Sequence, residues 1–183
     1  MDAVDAIIGR VSPAQLIAPG PNPEQMKEIL LAGASAPDHG LMKPWRFLII
    51  EGDARNRFGQ LMADSLKRRE PASTADRLEA ERKKSLRSPT LLVIAAAIQD
   101  NPKVPTIEQI VAVGAATQNM MIAAHALGLG ALWRTGPVVY DAEVKRALGF
   151  SEVDTIVGII YLGSVGAPGI PREREIDSVT RRW

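Results

Sequence analysis

Six residues that fall at element ends carry most of the chemistry this sequence offers: Arg10, Ser12, Ser35, His39, Arg134 and Thr135. Arginine grips a phosphate through a planar two-point fork, and serine and threonine hydroxyls add short hydrogen bonds. Binding groups concentrate at such positions. Trp45 and Trp133 are suited to border a flat ring system. Together the set fits an anionic, planar ligand. Each member also has a plainer reading. Arg10 alone is a cation at a helix end. His39 and His125, the two imidazoles of the chain, read first as helix-edge or loop polar groups.

Other chemistries are excluded. There is no cysteine, which removes disulfides, thiolate nucleophiles and cysteine-based metal sites and fits a cytoplasmic protein. With two histidines and no cysteine, a zinc site of three or four ligands is not expected, so no metal is assigned. No G-x-S-x-G elbow and no phosphate-binding G-x-x-x-x-G-K-[ST] loop occurs. Gly128-Leu129-Gly130 begins like a dinucleotide fingerprint, but it follows a helix pattern and Trp133 stands where the third glycine belongs. Lys67-Arg68-Arg69 and Arg82-Lys83-Lys84 are interleaved with Glu70, Glu79 and Glu81, as on a solvated helix face. Lys and Arg total 22 against 21 acidic residues, which argues against a nucleic-acid partner. No apolar run approaches the ~18–20 residues of a membrane span, and the acidic Asp2 and Asp5 do not resemble a secretory leader.

The elements that must position these residues follow from periodicity and punctuation. At 183 residues the chain is one domain, 1–183. A first helix is expected from Asp2 to about Gly9, with Val4, Ile7 and Ile8 on one face. Asn22, Pro23 and Gln25 predict the start of a second, ending near Ser35 because Pro37 disfavours helix before it. Residues 46–51 read as a strand, followed by a helix with Phe58, Leu61, Met62, Ser65 and Leu66 as its buried stripe. The charged stretch 67–87 reads as a helix-rich excursion. Residues 90–98 are continuously apolar, as a central strand covered on both faces should be. Thr106 with Gln109 predicts a capping box opening a long helix to Leu127, stopped by Gly128 and Gly130. That helix is apolar on almost every side, which points to burial in a core or a subunit interface. A short strand at 131–135, a helix from Asp141 to Gly149 and a strand at 155–163 complete the core. The order gives an α+β or α/β domain with a central sheet. The tail, 164–183, shows no core pattern and is expected to lie on a partner subunit.

Four blocks then carry a resemblance. Met1-Asp2-Ala3 through Ile8-Gly9-Arg10-Val11-Ser12, Ala32 to His39 continuing through Pro44-Trp45-Arg46-Phe47, Leu129-Gly130-Ala131-Leu132-Trp133-Arg134-Thr135-Gly136, and Ile156 to Gly163 resemble the nitroreductase family of flavin-dependent oxidoreductases. They are nearest to its small, YdjA-like NAD(P)H nitroreductases. The resemblance implies an α+β nitroreductase-like fold: a central mixed sheet flanked by helices, one long buried helix and a homodimer. It implies FMN in a cleft between subunits, NAD(P)H as co-substrate, and a nitroaromatic, quinone or similar small acceptor reduced in a ping-pong cycle. Arg10, Val11 and Ser12 would meet the phosphate and ribityl end. Ser35 and His39 would come from the partner's copy. Trp133, Arg134 and Thr135 would line the flavin, with Arg134 near the phosphate. Ala123, Ala124, His125, Ala126, Leu127 and Gly128 would contact the nicotinamide nucleotide. No catalytic acid, base or nucleophile is assigned, because a flavin carries the redox chemistry itself. The chain departs from the family pattern at Val11, where a second arginine is usual, and at Gln15-Leu16-Ile17. Val11 motivates the alternative of a non-catalytic flavin-binding protein that kept the fold.

Overall fold

The computed structural model describes every residue except Met1 and Arg172, which lie outside the described residues although the opening block and the tail include them. Its elements run α1 (Ala3–Gly9), β1 (Gln15–Ile17), α2 (Pro23–Ala34), β2 (Trp45–Glu51), α3 (Ala54–Arg69), α4 (Ala75–Arg82), β3 (Thr90–Ala96), α5 (Thr106–Ala126), β4 (Gly130–Arg134), α6 (Ala142–Ala147) and β5 (Thr155–Ala167). Short 3-10 turns occupy His39–Leu41, Lys83–Leu86, Pro137–Tyr140 and Asp177–Val179.

The sheet forms around β3, every residue of which is buried. Strand order is β1-β5-β3-β2, with β4 also paired to β5. Phe47 lies opposite Ile94, Val93 opposite Ile159, and Leu132 opposite Tyr161. Alternate side chains point to opposite faces of a strand, so two cores result. Leu91, Val93, Ile159 and Tyr161 meet Phe58 and Met62 of α3 and Val144 of α6. Leu92, Ile94, Ile160 and Leu162 meet Ile29 of α2 and Val113 and Met120 of α5.

Four expectations are corrected. The sheet is not mixed: every pairing among the described residues is antiparallel. Strand direction is decided by distant pairing and leaves no local trace in sequence. β1 is an added strand of three residues, too short for its single buried side chain, Leu16, to show a period. It pairs with 164–167, so the tail leaves the sheet only after Ala167. Thr106 does not cap α5. Pro105, extended at φ −57°, ψ 152°, holds that position without a side-chain bond, and Thr106 is already inside the helix. Gln109 instead turns inward: its amide accepts from the Gln99 N–H at 3.0 Å and donates to the Gln99 and Val104 carbonyls at 2.9 and 3.2 Å.

Burial of α5 holds for one side only. Val113, Ala116, Thr117, Met120 and Ala124 are fully covered, while Ile107 and Val111 stand 64% and 62% exposed. The apolar Val4, Ile7 and Ile8 of α1 are exposed as well. Other local signals behave as written. Asn22 and Gln25 form a reciprocal capping box with Pro23 in the first turn. Gly128, at φ 77°, ends α5: its N–H reaches the His125 carbonyl and the next N–H reaches Ala124, a left-handed stop that glycine adopts without strain.

Candidate functional site

Arg10 follows the last residue of α1 and turns the chain into extended conformation. Its side chain is the strongest sign of a ligand site. The Nε and Nη1 atoms are covered yet have no hydrogen-bond partner among the described residues. Covered guanidinium donors are costly to leave unpaired. Burial, and then the like charge of Arg174, pulls the Arg10 pKa down from its ordinary value. A bound anion relieves both effects.

The cleft that Arg10 lines has a volume of about 640 Å³. Val11, Ser12 and Ala14 form one wall, and Gly169, Ile170, Glu173 and Arg174 form the other. The tail approaches so closely that a Cβ on Gly169 would overlap the Ser12 carbonyl, so glycine is required for the two segments to meet. Arg174 was not legible in sequence. It sits in an alternating Arg-Glu run without periodicity and gains meaning only where the tail folds back.

The other expected residues distribute as follows. Arg134, exposed at the end of β4, lines a neighbouring cavity of about 390 Å³ with Arg87 and Tyr161; this cavity meets the Arg10 cleft at Ala14. Trp133 points to the opposite face of β4, against Gly158 of β5, where any Cβ would overlap its indole. Its Nε1 is covered and has no partner among the described residues. Thr135 borders a third cavity, with Tyr140 and Asp141. Within this chain Ser35 and His39 lie apart from Arg10. The Ser35 hydroxyl donates to the Leu31 carbonyl at 2.8 Å, closing α2. The His39 Nδ1 lies 2.5 Å from Glu108 Oε2, beside exposed Ile107 and Val111. Ala123, Ala124, His125, Ala126, Leu127 and Gly128 form the stop of α5: Ala124 is fully buried, Ala126 and Gly128 are exposed, and the Leu127 carbonyl accepts from Gln25 at 3.4 Å.

The donors present fit FMN. Arg10, Arg174 and the Ser12 hydroxyl around one cleft match a phosphate ester. Among the described residues there is no group of three or more metal-ligating side chains.

Three comparisons bear on this arrangement. The family model described as "Nitroreductase family" matches residues 17–164. The chain is 38% identical over 165 residues to the Escherichia coli K12 protein named "Putative NAD(P)H nitroreductase YdjA", covering 90% of this chain and 88% of the relative. It is 30% identical over 165 residues to a Haemophilus influenzae protein named "Putative NAD(P)H nitroreductase", covering 90% of this chain and 89% of the relative. A nitroreductase-like family protein from Bacillus cereus superimposes with a TM-score of 0.87 at 22% identity, over 100% of this chain and 96% of that one. A nitroreductase with bound FMN from Bacteroides fragilis gives 0.76 at 20% identity, over 100% of both chains. At these identities the two structures show a shared fold.

Proposed function

We propose a function on one premise: the chain belongs to the nitroreductase family. It is an oxidoreductase that binds FMN and uses NAD(P)H to reduce small acceptors such as nitroaromatics or quinones, one substrate following the other at the same site. The observation that carries this reading is the covered, unpartnered Arg10 guanidinium in a cleft shared with Ser12 and Arg174. The names of the relatives support the nicotinamide substrate, and the FMN bound by the Bacteroides fragilis protein supports the flavin.

Bound FMN supplies hydride acceptance and electron donation, and the chain supplies position, electrostatics and access. Arg10 and Arg174 hold the phosphate by charge-assisted bonds, Ser12 adds its hydroxyl, and the Val11 backbone follows the ribityl chain. Trp133 and Thr135 wall the ring from the end of β4, with the Arg134 backbone between them. Ser35 and His39 reach the same ring from a second copy of the chain, so the working unit is a homodimer of single-domain subunits. The tail beyond Arg174 passes onto the partner. The stop of α5, from Ala123 to Gly128, contacts the nicotinamide nucleotide. No helix among the described residues is long and apolar enough to cross a membrane, and we place the enzyme in the cytoplasm.

The absorption spectrum tests the reading. Purified protein should be yellow, and anaerobic addition of NADH or NADPH should bleach the flavin bands. A protein that binds FMN but bleaches with neither nucleotide is a non-catalytic flavin binder, and one that refuses FMN in excess removes the reading altogether.

A further inference from the structure

We propose that the cavity beside β1, β4, β5 and the Lys83–Leu86 turn is a second binding site, taking a small oxyanion carried on a compact apolar body, gripped between Arg87 and Arg134 above Tyr161. The inference goes beyond the flavin reading: Arg87 and Tyr161 have no place in that reading, and Arg134, which the two share, is used here through its side chain and there through its backbone.

The cavity measures about 390 Å³, within the range of small-molecule sites. Leu16, Leu86 and Leu132 supply apolar walls, and the polar lining is Gln15, Arg87, Arg134 and Tyr161. Among the described residues no carboxylate lines it. Neither arginine takes part in an ion pair or side-chain hydrogen bond among the described residues, whereas Arg57, Arg68, Arg77, Arg82 and Arg146 each pair with a carboxylate. Tyr161 is buried at 3% exposure, and its hydroxyl makes no hydrogen bond among the described residues. That oxygen is also absent from the fully covered unpartnered atoms, so it opens to the cavity.

The field at the hydroxyl points the same way. Burial pushes the Tyr161 pKa up, and the charges of Arg134 and then Arg87, which line the same cavity, pull against it. Glu81 also acts on it, but its carboxylate is tied to Lys84 at 2.5 Å. Two like charges over an apolar floor repel one another. A single oxyanion between them removes that repulsion, receives a forked bond from each arginine, and takes the phenolic O–H as a further donor.

The test is titration calorimetry at low ionic strength on FMN-saturated protein, which keeps any anion site at Arg10 filled. The probes are cyclohexanecarboxylate and, separately, inorganic phosphate. Binding of either probe is expected, with Arg87→Ala weakening it roughly tenfold or more, Tyr161→Phe by a smaller factor, and Lys27→Ala leaving it unchanged. Tighter carboxylate identifies an apolar carboxylate as the natural class, and phosphate binding alone identifies a phosphoryl group; both support the site. Arg87→Lys, with an unchanged melting temperature, separates a lost grip from a lost fold. The proposal is overturned if neither probe binds, if Arg87→Ala binds both as the wild type does, or if the probe binds only protein stripped of FMN. In that last case the cavity belongs to the flavin site.

Discussion

Arg10 is the residue on which the site turns. Its covered nitrogens have no partner among the described residues, so a phosphate bound there as proposed meets no internal competitor. Arg10→Ala should weaken FMN retention by roughly 1.5–3 kcal/mol, measured by equilibrium dialysis of the flavin; undiminished affinity would take Arg10 out of the site. Arg174→Ala should lower affinity in the same direction while raising the Arg10 pKa toward normal, since it removes the like charge. Part of this was readable in the sequence. Arg10 and Ser12 sit in one short block whose residue types announce anion binding. Arg174 and Arg87 were not readable, because each acquires a role only through contact with segments far away in the chain. Its residue type marked Trp133 as a candidate border for a ring, whereas its seat against Gly158 depends on the register between β4 and β5.

Helices and strands show where local rules suffice and where they fail. The capping box at Asn22 formed because all its parts lie within four residues and nothing competes for them. Thr106 and Gln109 have the same pattern, yet burial of Gln109 among the Gln99 and Val104 carbonyls outweighed the cap. Asp141 caps α6 as expected, accepting from Glu143 and Val144 N–H at 2.9 and 3.2 Å and from Arg68 at 2.7 Å. Burial raises its pKa, but the bonds from Arg68 and Val144 prevail, and the net shift is downward. A depressed carboxylate stabilises the fold above its unfolded pKa and loses that contribution as pH falls through its folded one. Asp141→Ala should therefore cost about 1 kcal/mol near neutral pH, and thermal melts should show the gap to wild type closing in strong acid. α3 and α4 depend on a close approach at Gly59, where a Cβ would overlap the Arg82 carbonyl and lie 2.6 Å from Ser85 Oγ. Gly59→Ala should destabilise by ~1–3 kcal/mol, read as a shift in the denaturation midpoint.

At the scale of the whole molecule, one side of α5 is incomplete. Ile107 and Val111 stand open beside the His39–Glu108 pair, and Leu41 is exposed on the adjoining turn. The apolar character of α5 was plain in the sequence, but which half the chain itself would cover was settled only by the packing of α2 and the sheet. Light scattering should give the mass of two subunits, and Val111→Glu should shift the protein toward one; wild type at a single subunit's mass would defeat the dimer. The Arg10 cleft has a different consequence. Gly169 runs flat against Ser12, so an occupant bridging Arg10 and Arg174 ties an early stretch of polypeptide to a late one, as a clasp fastens a strap. Deuterium uptake at both stretches should then slow in step as the occupant is added, although they lie at opposite ends of the covalent chain.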